Sequence, residues 1–119
     1  MTDLIACLST GKGTGAHVLK VMQGMPWDKV YLIVNHEFKE SFKNKEKAEV
    51  IYIDTNKSIS NIAEHIKSNL QGKIKDLEVG VNLVSGEGKE HMAVLHALLE
   101  LGLGIRLVAL TKEGVKSLS

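Results

Sequence analysis

Apolar residues in this chain fall into short dense runs, separated by stretches in which they recur at helical spacing. Leu4 to Leu8 is too short for an ordinary helix and runs straight into Ser9-Thr10-Gly11-Lys12-Gly13-Thr14-Gly15, which predicts a buried strand ending in a glycine-rich loop. A helix is expected from Ala16 to about Met25, because the residue before Pro26 avoids helical backbone angles. Lys29 to Val34 reads as the second strand. His36 to Lys47 reads as a short exposed helix or loop that tucks in its two phenylalanines.

Glu49 to Ile53 is a third, β-branched run. Ile59, Ile62, Ala63, Ile66 and Leu70 then recur at helical spacing until Gly72 closes the helix. Leu77 to Val84 predicts a fourth strand, Ser85-Gly86-Glu87-Gly88-Lys89 a second glycine-bearing loop, and Met92 to Leu101 a helix that stops at Gly102. Ile105 to Leu110 is the fifth strand, and the tail beyond it is polar. Strands alternating with helices imply βαβ units, and hence an α/β fold with a parallel sheet and helices on both faces.

Strand order follows from the loops. Ligands of such sheets bind beyond the carboxyl ends of the strands, where the order reverses. The glycine-rich loops follow strands one and four, whereas Asp54-Thr55-Asn56-Lys57-Ser58 after strand three has no glycine. Order 3-2-1-4-5 makes strands one and four neighbours. The glycines therefore favour a Rossmann-like sheet over the flavodoxin-like order.

Composition narrows the function. At 119 residues, 44% hydrophobic and 24% charged, the chain is expected to be one globular domain spanning 1–119. A net charge of +1 lacks the positive field of a protein that coats duplex nucleic acid, so any anion must be captured locally. The one cysteine, Cys7, permits no internal disulfide, and no zinc spacing is present, so a reducing cytoplasm and no metal or cofactor are expected. The N-terminus is unlike a signal peptide and no apolar run reaches the roughly 18 residues of a membrane span, so no membrane partner is expected.

Glycine lets backbone N–H groups approach an anion, and the helix that follows contributes a partial positive charge. Phosphate is the natural guest of both loops. Lys12 and Lys89 bring full charges, while Ser9, Thr10, Thr14 and Ser85 bring hydroxyls. Neither loop is a Walker A motif, which would need glycine at Leu83 and a hydroxyl at Glu90. Gly11 to Ala16 fits a relaxed dinucleotide pattern, with Glu37 where a ribose-binding acid would sit, but 119 residues leave no room for the substrate domain of a hydride-transferring enzyme.

The segment Val81-Asn82-Leu83-Val84-Ser85-Gly86-Glu87-Gly88-Lys89-Glu90-His91-Met92-Ala93 resembles the second signature of CARF domains, the CRISPR-associated Rossmann-fold sensors. Ser9-Thr10-Gly11 after strand one is similar to the first signature of that family. Glu87 departs from the pattern, since an acid in a phosphate-facing loop repels its guest unless it points away or acts as a base. The resemblance implies a homodimer that holds a cyclic oligoadenylate across its shared face and, in the absence of an effector domain, cleaves it as a ring nuclease. It implies a ligand-binding set of Ser9, Thr10, Gly11, Lys12, Gly13, Thr14, Ser85, Gly86, Glu87, Gly88 and Lys89. A non-catalytic sensor of the same ligand, or an NAD- or nucleotide-binding subunit, are the alternatives.

Cleavage of that ligand needs no metal, because a ribose 2′-hydroxyl attacks its own 3′-phosphate. Lys89 is the candidate for stabilising charge and Ser9 for positioning ribose. His17 and His91, each just inside a helix that opens from a loop, are the candidate acid or base. His36 follows strand two at the same rim, His65 reads as an exposed helix flank, and His96 as a residue packed beside Met92. On the last long helix, Met92, Leu95 and Leu99 form one stripe and Val94, Leu98 and Leu101 another, so one stripe covers the sheet and the other calls for a partner.

Overall fold

The computed structural model describes residues 2–8, 14–44 and 46–118. Its elements follow the order β1 (Leu4–Leu8), α1 (Thr14–Gln23), β2 (Val30–Asn35), a short 3-10 turn at His36–Phe38, β3 (Glu49–Ile53), α2 (Ile59–Leu70), β4 (Glu78–Asn82), α3 (Gly88–Glu100), β5 (Gly104–Thr111) and β6 (Gly114–Ser117). The sheet order is β3-β2-β1-β4-β5-β6. The first five strands run parallel, and β6 returns antiparallel along β5. The fold is α/β and Rossmann-like, with the expected 3-2-1-4-5 order and one further edge strand.

β1 lies at the centre and is buried on both faces, so its side chains divide between two cores. Ile5 and Cys7 join Ile33, Val79 and Val81 beneath α2 and α3, whereas Leu4 and Ala6 join Leu32, Val34 and Val108 beneath α1. Cys7 is a small core residue, and burial pushes its thiol up to about 12, which makes it inert. Phe38 and Phe42, from the β2–β3 connection, pack against the α1-side core as expected. Lys39, Lys43 and Lys47 of the same connection are exposed.

Several boundaries differ from the sequence expectation, each for a local reason. α1 stops at Gln23 rather than Met25, and at Gly24 a Cβ would collide with Val115 of β6 and the Lys20 carbonyl, so only glycine fits where the chain leaves the helix. β4 stops at Asn82, whose side-chain Nδ2 donates to the Val108 carbonyl at 2.9 Å. α3 opens at Gly88, before Met92; Glu87 holds the N-cap in extended backbone and its N–H faces the Glu90 carboxylate, one half of a capping box, while the Glu87 side chain makes no cap bond. The polar tail contains β6, whose Val115 pairs with Leu110 and packs under α1. α2 matches expectation, with the Ser58 hydroxyl accepting the Asn61 N–H as its cap.

Candidate functional site

The carboxyl ends of β1, β2, β3 and β4 share one edge of the sheet, and the β1–α1 and β4–α3 connections leave from neighbouring strands there. Ser9, Thr10, Gly11, Lys12 and Gly13 lie outside the described residues. The far end of that first connection is visible. Thr14 Oγ1 donates to Ser85 Oγ at 3.0 Å, joining the start of α1 to the turn after β4.

That second turn is built tightly. Ser85 is fully buried, and Gly86 adopts φ +93, where a Cβ would stand 2.7 Å from Glu90 Oε2 and 3.2 Å from His91 Nε2. His91 Nε2 donates to the Ser85 carbonyl at 2.7 Å and so clamps the turn onto the first turn of α3. Gly88 is the first residue of α3, with open space where a side chain would be. Glu90 is buried, and desolvation raises its carboxyl above the usual range; the nearby Glu87 charge pushes the same way, while His91 and the Glu87 N–H oppose.

Lys89 does not stand free at the turn. Its ammonium donates to the Thr55 carbonyl at 2.7 Å, fastening the β3–α2 connection to α3. Asn35 at the end of β2 reinforces that join, Nδ2 donating to Thr55 Oγ1 at 2.8 Å. Glu87, with Leu8, Asn35, Glu37, Phe38, Thr55 and Glu90, lines a cleft of ≈ 160 Å³ beside the start of α3.

His17 ties three elements together. Its Nε2 lies 3.3 Å from the Leu110 N–H and 3.2 Å from Asn82 Nδ2, both donors, so Nε2 accepts and the ring proton sits on Nδ1. Asn82, 1% exposed, spends its amide between His17 and the Val108 carbonyl. His36 lies 3.5 Å from Asp54, and His65 Nε2 bonds the Tyr52 carbonyl at 3.0 Å. His96 is exposed, 3.7 Å from Glu100, not packed: it falls on the solvent side of α3 rather than the sheet side.

Sequence reasoning missed Asn35, Thr55 and Glu90. Asn35 closes β2 and Thr55 lies in a loop without glycine, and neither carries a local signal; Glu90 had one, in its position three residues after the N-cap Glu87. Among the described residues, no group of three metal-ligating side chains occurs, and no helix is long and apolar enough to cross a membrane. On α3, Val94 and Leu98 are fully buried against the sheet, while Met92 and Leu99 are 62% and 67% exposed. The chain matches no protein-family model, no curated protein and no solved structure.

Proposed function

We propose that this protein is a CARF-like, two-fold homodimer that binds cyclic oligoadenylate at the turns following β1 and β4 and cleaves it as a metal-independent ring nuclease. The observation that carries the reading is the Thr14–Ser85 hydrogen bond, because it joins the start of α1 to the turn after β4. First-turn amides of α1 and α3 lack intrahelical acceptors and carry partial positive charge, so two helix N-termini meeting there suit one phosphate chain. A two-fold axis repeats the pair and matches a cyclic tetranucleotide of the same symmetry. The exposed Met92 and Leu99 supply an apolar stripe for the second copy.

In the proposed reaction a ribose 2′-oxygen attacks the adjacent 3′-phosphorus while the 5′-oxygen leaves. The 2′-proton goes to a base, and the departing oxygen is protonated. Lys89 supplies positive charge beside the phosphate; an ammonium has three hydrogens, so its bond to Thr55 leaves two for phosphate. His91 and His17 are the nearby imidazoles of the two helices, with Ser9 and Thr10 placing the ribose.

A second reading, a sensor that binds the ring without cutting it, is favoured by the work both imidazoles already do: His17 Nε2 accepts from β5, and His91 Nε2 holds the Ser85 carbonyl. Incubating the protein with cyclic tetra-adenylate in EDTA, followed by chromatography, separates the readings. Linear fragments ending in a 2′,3′-cyclic phosphate support the nuclease. Retained intact ring supports the sensor, and absence of binding, with AMP or NAD bound instead, overturns both.

A further inference from the structure

The cleft beside the Ser85–Gly88 turn has a polarity that phosphate binding does not use. Among the described residues its polar wall consists of Asn35, Glu37, Thr55, Glu87 and Glu90, with no lysine or arginine. Such a wall repels phosphate and favours a group that donates hydrogen bonds.

Asn35 sharpens this preference. Both amide hydrogens are engaged, Nδ2 donating to Thr55 Oγ1 at 2.8 Å and to Glu37 Oε1 at 3.3 Å. These bonds set the orientation of the amide, since a flipped group would press Oδ1 against the Glu37 carboxylate. Oδ1 is then left buried with no partner among the described residues. A buried acceptor without a donor is a standing cost that a ligand's donor relieves.

We propose that this cleft is a subsite that reads one hydrogen-bond donor of the bound nucleotide, a ribose hydroxyl or an exocyclic base amine, with Asn35 and Glu37 as its specificity-determining residues. The inference rests on the nucleotide-binding reading and divides the site into two halves of opposite preference: phosphates toward Thr14 and Ser85, a donor group toward Asn35. Its volume of ≈ 160 Å³ is below the roughly 300–1,000 Å³ of a complete small-molecule site, so it takes one group rather than a whole nucleotide. Glu87, anomalous in a phosphate loop, belongs to the donor-reading half.

The test is calorimetric titration in EDTA with three rings: cyclic tetra-adenylate, its all-2′-deoxy counterpart, and cyclic tetra-inosinate, in which a carbonyl replaces the exocyclic amine. The wild type is expected to bind one analogue about tenfold or more weakly than the parent, the equivalent of one lost hydrogen bond. Loss with the deoxy ring assigns the donor to ribose; loss with the inosinate ring assigns it to the base. Asn35→Leu and Glu37→Ala are expected to abolish that preference, and Glu37 is exposed, so its variant keeps the fold even where Asn35→Leu does not. Equal binding of all three rings by the wild type, or a preference that survives both substitutions, overturns the inference and leaves the nucleotide-binding reading standing. Failure of the wild type to bind the parent ring overturns both.

Discussion

Thr14 and Ser85 are 71 residues apart in sequence and share a hydroxyl–hydroxyl hydrogen bond of 3.0 Å. The bond exists because β1 and β4 are adjacent, with Ala6 paired to Asn82, so the chain leaving each strand passes the other. Removing either hydroxyl breaks this bond at a site where Ser85 is fully buried. Ser85→Ala is expected to lower stability in urea denaturation by about 1–3 kcal/mol. A double-mutant cycle with Thr14→Val is expected to show positive coupling between the two positions.

Two glycines of the same turn are expected to behave in opposite ways. Gly86 at φ +93 faces Glu90 Oε2 and His91 Nε2, so Gly86→Ala adds left-handed strain and pushes apart the residues that hold the turn. Its expected cost is about 1–3 kcal/mol. Gly88 opens α3 with nothing within 4 Å of the place a methyl would take, and Gly88→Ala is expected to be neutral or stabilising by up to about 1 kcal/mol. Comparing the two denaturation midpoints checks the local geometry without any ligand.

At the sheet, Gly80 leaves room for the one tryptophan. A Cβ there would stand 2.7 Å from Trp27 Cη2 and 2.8 Å from Cζ3, and the indole is tethered by its N–H to the Val21 carbonyl at 2.9 Å. Gly80→Ala therefore overpacks the strand against the ring and is expected to cost about 1–3 kcal/mol. Because the chain has a single tryptophan, a shift in its fluorescence reports the displacement directly.

Glu90 gives the stability a pH dependence of definite sign. Burial raises its carboxyl in the folded state above the ordinary 4.5, so the unfolded chain loses this proton first. The stabilisation is complete below about pH 4.5 and is lost as pH rises through the raised value. Glu90→Gln keeps an oxygen for the Glu87 N–H and removes the ionisation. The variant is expected to gain stability relative to wild type as pH rises from 4.5, and to lose that advantage below it; a difference independent of pH would contradict the account.

What the sequence makes legible here is what local chemistry punctuates. β3 and α2 lie where the β-branched run, Ser58 and Gly72 set them, and the adjacency of β1 and β4 follows from where the glycine-rich loops fall. β6 has only Val115 as an apolar anchor and exists through its pairing with β5, which no local pattern announces. The candidate site divides the same way. Ser85, Gly86 and Gly88 are marked by composition, but Lys89 is turned to Thr55 and His17 to Leu110 by neighbours brought in from other strands.

The central claim is that the turns after β1 and β4 bind one nucleotide together. Its most direct test is an amide chemical-shift titration with cyclic tetra-adenylate. The account predicts that signals of Thr14 and Gly15 and those of Ser85 through Lys89 move in concert, saturating with one dissociation constant. Movement of one group while the other stays fixed, or two different dissociation constants, would contradict it.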